Sequence, residues 1–188
     1  MSVDITSQNL QAPCRALFEY WLKIRGSKAV PFRSDLRPGD IASLLPNLII
    51  LEYRDPDQLI YRLTGTEIVY RMGYDFTGKN LYEIAIPEEV DSARYQFDSL
   101  RAQPCGLVLN LLLRSKRDVA FVAELIFLPL SDRDGTINQL VAIVGEIKDD
   151  DKSRHTSKVA SMTALNSAFL DIGCGVPAKW ARPLKATG

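Results

Sequence analysis

Tyr61 to Ile84 reads YRLTGTEIVYRMGYDFTGKNLYEI, and this stretch decides the fold. A β-like run ends at Gly65, and a short helical piece follows from Glu67 to Met72. Gly73 and Gly78 then stand close together around Tyr-Asp-Phe-Thr. Two glycines so near in an apolar stretch predict turns that need a positive φ or a close backbone approach. Leu81 to Ile84 is a second short helical or irregular piece.

Upstream, Leu48 to Tyr53 is β-like, Asp55-Pro56-Asp57 is a turn signal, and Leu59 to Thr64 returns as the second arm of a hairpin. Before it, PFRSDLRPGD (Pro31 to Asp40) is a turn-rich connector. Ser34 or Asp40 is placed to cap a short helix over Ile41 to Leu45, which Pro46 ends. Pro13 to Arg25 reads as an amphipathic helix stopped by Gly26. Its apolar stripe runs through Cys14, Leu17, Trp21 and Ile24, widened by Phe18 and Leu22.

Downstream, Pro87-Glu88-Glu89 opens a helix to about Gln103, with acids in the first turn where the helix dipole favours them. Leu107 to Arg114, Val119 to Leu130 and Gln139 to Ile147 are strands joined by short polar turns, which implies antiparallel pairing. Asp132-Arg133-Asp134-Gly135 could be half a calcium loop, but the downstream glutamate is missing, and a hairpin turn is the better reading. Strands with helices clustered between the second and third predict an α+β fold, a five-stranded antiparallel sheet with helices on one face. The second face is mixed but too apolar for water, through Val108, Leu112, Val122, Ile126 and Leu128. The Trp21 helix is expected to cover it, from its own chain, a partner's, or both. Asp149 to His155 is a charged break. Val159, Met162, Leu165 and Phe169 space a weak helix, and Pro177 to Gly188 reads as a disordered tail.

The chain has 188 residues, 46% apolar and 24% charged, with 23 basic and 23 acidic residues. That suits one globular domain and gives no global pull towards nucleic acid or an anionic membrane. MSVDITSQNL lacks a secretory signal, and no apolar run approaches the roughly 18 residues of a membrane span. The three cysteines, Cys14, Cys105 and Cys174, fit neither a disulfide framework nor a zinc pattern. A cytoplasmic setting follows as the expectation.

The strand order and the passage GYDFTGKNLYEI resemble a PAS domain, and DRDGTINQLVAIVGEIKD is similar to its last hairpin. The upstream YWLKIRG, PFRSD and RLTGT segments resemble a group of alphaproteobacterial single-PAS proteins, over Tyr20 to Ile147. The resemblance implies residues 1–30 as an N-terminal helix and cap, 31–149 as the PAS-like domain, and 150–188 as a C-terminal linker, weak helix and tail. It implies a sensory or regulatory module that binds a small ligand, a partner protein, or both, and is not an enzyme. A ligand-free docking module is the alternative, and an enzyme a third. A homodimer through the Trp21 helix and outer sheet face is expected, with a signalling partner possible and neither nucleic acid nor membrane as a target. The cofactor is unknown. No cysteine stands in the setting of flavin photosensors, and the only histidine, His155, lies beyond the last strand, so flavin and haem are disfavoured.

Catalytic signatures are absent: there is no G-x-S-x-G, P-loop, H-E-x-x-H or G-x-G-x-x-G. Gly173-Cys174-Gly175 reads as a helix stop rather than a phosphate loop. A pocket is expected between the sheet and the short helices, drawing on Tyr61, Leu63, Met72, Phe76, Tyr95, Leu109, Phe121 and Leu125, against the alternative of a filled core. Arg33, Asp35 and Arg62 are polar candidates for an anionic ligand, or for an Arg–Asp pair pinning the connector. Cys105 is a candidate pocket thiol, or a small buried filler.

Overall fold

The computed structural model describes residues 10–116, 118–145 and 159–177. The charged break, His155 and most of the C-terminal tail lie outside the described residues. Helix α1 spans Ala12–Arg25 and strands β1 and β2 span Leu48–Asp55 and Gln58–Thr64. Helices α2 (Thr66–Met72), α3 (Leu81–Ile84) and α4 (Val90–Ala102) follow. Strands β3 (Gly106–Ser115), β4 (Ala120–Ser131), β5 (Ile137–Val144) and β6 (Val159–Leu170) complete the chain. All six strands form one antiparallel sheet in the order β2-β1-β5-β4-β3-β6.

The glycine pair turns the chain as its spacing predicts. Gly73 ends α2 with φ 67° and Gly78 has φ 84°, conformations that a side chain disfavours. The Gly78 and Lys79 backbone then bonds to Tyr61 on both sides: Gly78 N donates to Tyr61 O at 2.7 Å, and Tyr61 N donates to Lys79 O at 2.9 Å. Asn80 completes the corner. Its side-chain oxygen accepts from Leu59 N and Tyr82 N, and its amide donates to Asp57 O. One buried side chain thus caps α3 and ties it to the first hairpin. At the other hairpin, Asp132 Oδ1 accepts from Asp134 N and Thr136 N, so the acidic turn is satisfied by its own backbone.

Helix α1 covers the outer face over β4 and β5 from within the same chain. Cys14, Leu17 and Trp21 are fully buried there, and Trp21 Nε1 donates to Pro129 O at 2.8 Å. Glu124 on that face accepts from Gln11 N at 2.8 Å, which satisfies a carboxylate that would otherwise be buried unpaired. The apolar stripe is therefore occupied by the chain's own sheet. Val122, on the same face, is 45% exposed.

The segment expected as a weak C-terminal helix is strand β6, so the sheet has six strands rather than five. The helical spacing has a specific origin. Met162, Ala164, Ser167 and Phe169 pair with Leu113, Leu111, Leu109 and Leu107. Register shifts leave Ala160 and Leu165 as extra residues, bulges that stretch a period of two into gaps of three. Gly173 and Gly175 accordingly follow a strand, where both their N–H groups donate to Asp171 Oδ1. The predicted helix over Ile41 to Leu45 resolves into two 3-10 turns, Pro38–Ile41 and Leu45–Asn47; Pro46, lacking an N–H, cannot continue a helix from Ile41.

Candidate functional site

The inner sheet face and helices α2, α3 and α4 enclose a cavity of about 530 Å³. Alternation along the strands builds its floor: Leu109, Leu111 and Leu113 from β3, and Ala123, Leu125 and Phe127 from β4. Helix α2 contributes Ile68, Arg71 and Met72, and the loop after it contributes Phe76. Strand β6 closes one side with Val159 to Ala164.

Tyr61 stands in this wall. Its ring lies 5.4 Å from that of Phe76, centre to centre. Among the described residues no group hydrogen-bonds its hydroxyl, and burial alone pushes the phenol pKa upward. An unpaired hydroxyl beside apolar space is a polar handle for whatever fills that space. Arg71 is the cationic member of the wall. Its Nε donates to Glu67 Oε1 at 2.7 Å along the outside of α2. Glu89 and Gln96 line the α4 side, and both already reach β6: Glu89 Oε1 accepts from Ala164 N at 3.0 Å, and Gln96 Nε2 donates to Ser167 Oγ at 3.0 Å.

Of the residues expected at the pocket, Tyr61, Met72, Phe76, Leu109 and Leu125 line the cavity. Leu63 does not; it is 39% exposed on β2. Tyr95 packs instead against Phe169, with ring centres 6.3 Å apart. Phe121, near the start of β4, lies outside the lining. The three polar candidates also lie elsewhere. Asp35 takes Lys28 Nζ at 2.9 Å and Phe32 N at 3.1 Å, and Lys28 holds its carboxyl below the usual range. Arg62 pairs with Glu52 at 2.8 Å, and Arg33 is not part of the cavity. None of the three lines the cavity. Cys105 is fully buried at the foot of β3 outside the lining, and burial first, then the Asp171 and Cys174 charges, push its thiol up to about 12. The filler reading fits it.

Sequence reasoning missed Arg71, Glu89, Gln96 and the β6 wall. Arg71 and Gln96 follow from helical spacing once α2 and α4 are known to face the sheet. The β6 residues had no such signal, because the bulges hid the strand. Among the described residues, no group of His, Cys, Asp and Glu could hold a metal ion, and no helix is long and apolar enough to cross a membrane.

Five strands in the order 2-1-5-4-3, with helices between the second and third forming a cavity against the sheet, define an α+β domain of one sheet and a helical layer. A family model described as "PAS domain" matches residues 10–145, and the chain belongs to that family. No curated protein matches it. Among solved structures, a light-oxygen-voltage domain studied with a flavin analogue is 18% identical, with a TM-score of 0.45 over 62% of this chain and 87% of that one. A Rhodobacter sphaeroides light-oxygen-voltage protein is 13% identical, with a TM-score of 0.43 over 64% and 73%. The photo-excited blue-light photoreceptor Vivid is 16% identical, with a TM-score of 0.45 over 69% and 94%. Nothing about a ligand follows from likenesses this distant.

Proposed function

We propose that the chain is a sensory or regulatory domain that takes a small apolar or amphipathic molecule into its cavity and passes the signal to a partner protein, without catalysing a reaction. The observation that carries this reading is a cavity of about 530 Å³ between the sheet and the helices, lined mainly by apolar side chains, with the Tyr61 ring in its wall. A cavity of this size suits a drug-sized molecule, and apolar walls with few polar groups are the usual make-up of such sites. A ligand-free docking module would be expected to fill the same space with its own side chains.

Two features support setting flavin and haem aside. None of the three cysteines lines the cavity. The single histidine, His155, falls in the sequence between β5 and β6. For a homodimer, the outer face beside α1, around the exposed Val122, is the surface we propose in place of Trp21.

The test is binding of the neutral dye N-phenyl-1-naphthylamine, which brightens in apolar surroundings. One equivalent should bind, and Ala123→Phe, which drives a ring into the cavity, should abolish it. Equal binding by the wild type and Ala123→Phe would sink the cavity reading.

A further inference from the structure

The two halves of β6 are held very differently. The C-terminal half is anchored by side chains of α4. Gln96 of α4 bonds Ser167, Tyr95 stacks edge-on against Phe169, and Leu170 is buried. Just beyond, Arg25 of α1 donates to Ile172 O, and Gln103 Nε2 donates to Cys174 O at 3.1 Å. The N-terminal half, Val159 to Ala164, is paired to β3 through its backbone and packs Val159 and Met162 against the core, and among the described residues one side-chain bond is recorded for it, from Ala164 N to Glu89 Oε1. Leu165, the extra residue of a bulge and 50% exposed, stands at the boundary between them.

The weakly held half is also where the cavity opens. Ala160, Ser161, Thr163 and Ala164 line the cavity and are solvent-exposed. Across from them, Ile86 lines it too and is 40% exposed. The Glu89–Ala164 bond spans this gap between the helices and the sheet edge. A half-strand with few side-chain anchors opens locally at lower free energy than a packed one, and a bulge interrupts the ladder that would resist its peeling.

We propose that Val159 to Ala164 is a gate on the cavity, latched by Glu89 and hinged at the Leu165 bulge, and that ligand enters and leaves when this half-strand lifts from β3. The proposal rests on the reading of the cavity as a ligand site. It adds a route and a control point: a filled cavity packs against the inner side of the gate and holds the latch, and an empty one lets it fray.

The experiment follows the full chain by two readouts: stopped-flow entry of N-phenyl-1-naphthylamine and residue-resolved amide hydrogen exchange. Glu89→Ala removes the acceptor of the Ala164 N–H. Losing one such bond should speed exchange of Val159 to Ala164 and dye entry by about fivefold, with Ser167 to Leu170 unchanged. Glu89→Gln keeps a side-chain oxygen and should restore both towards wild type. Conversely, Arg114→Cys with Ser161→Cys, at positions paired across β3 and β6, should form a disulfide that slows entry until it is reduced, in a Cys174→Ser background. Entry unchanged by both the broken latch and the disulfide, or exchange rising uniformly along β6, would overturn the gate. Faster exchange at the gate with no dye bound by any variant would leave the latch standing and remove the ligand reading instead.

Discussion

Replacing Gly65 by alanine tests how the β2–α2 junction sets one wall of the cavity. Gly65 has an ordinary extended backbone, φ −61° and ψ 148°, so alanine meets no dihedral penalty there. The obstacle is space. A Cβ at this position would lie 2.3 Å from Pro46 O, 2.6 Å from Pro46 C and 2.7 Å from Leu45 O. All three are backbone atoms, which cannot rotate aside, and Gly65 N is bonded to Leu48 O at 2.8 Å, which resists retreat. The chain must shift where the Leu45–Asn47 turn crosses the start of α2. Overpacking against a rigid neighbour costs about 3 kcal/mol. For a chain of this length that lowers Tm by roughly 6 to 12 °C. Equilibrium urea unfolding at 25 °C, followed by circular dichroism, reads the change. Two controls separate space from dihedral. Gly78→Ala has open space but φ 84°, and should lose about 1 to 2 kcal/mol. Gly39→Ala has open space and no positive φ, and should be within about 0.5 kcal/mol of wild type. Dye binding should weaken in Gly65→Ala as well, because Ile68, Arg71 and Met72 ride on the displaced helix. A Gly65→Ala protein as stable as Gly39→Ala would refute the close-approach argument.

Three further outcomes are expected. Trp21→Ala should cost about 3 to 5 kcal/mol in the same urea titration, since a fully buried indole leaves a cavity under α1, whereas a small effect would mean that the helix is loosely docked. Stability should fall as pH rises above about 9. Burial pushes the Cys105 thiol up to about 12 from an ordinary 9.0, and raises the Tyr53, Tyr61 and Tyr82 phenols. Each such group keeps its proton in the folded chain after the unfolded chain has released it, so its stabilisation is complete below its ordinary pKa. It is then lost at about 1.4 kcal/mol per pH unit until the folded value is reached; a urea midpoint flat from pH 8 to 11 would contradict this. Finally, Cys174 is exposed while Cys14 and Cys105 are 0% exposed, so an aromatic disulfide reagent should modify one thiol rapidly and the other two only in denaturant.

The sheet core was legible from local signals that need no long-range information. Alternation placed Leu109, Leu111 and Leu113 on one face, and the two glycines marked the turns around Phe76. The Trp21 stripe announced an apolar surface needing cover, and the outer face announced the surface that needed it. The sequence pattern did not reveal that these two surfaces meet within one chain, because either copy of a dimer would satisfy it. Strand β6 was hidden for a geometrical reason: bulges at Ala160 and Leu165 turn a strand's period into a helix-like one. The polar candidates stand apart from the cavity for an electrostatic reason. Asp35 and Arg62 found partners in Lys28 and Glu52, and nothing in local sequence distinguishes a surface pair from a ligand contact. Glu89 was read as a dipole-compensating acid at a helix start. Its contact with Ala164 depends on a strand some 75 positions away, and no local reading reaches that far.

The measurement that tests the central claim most directly is the mass of the intact protein purified from bacteria, under native and then denaturing conditions, with and without added N-phenyl-1-naphthylamine. The account predicts one small molecule bound per chain, either carried through purification or supplied as the dye, lost on denaturation and absent in Ala123→Phe. A bare polypeptide mass in both samples, from protein that remains folded, would contradict it and leave a docking module. The same spectra report whether one chain or two make up the native species.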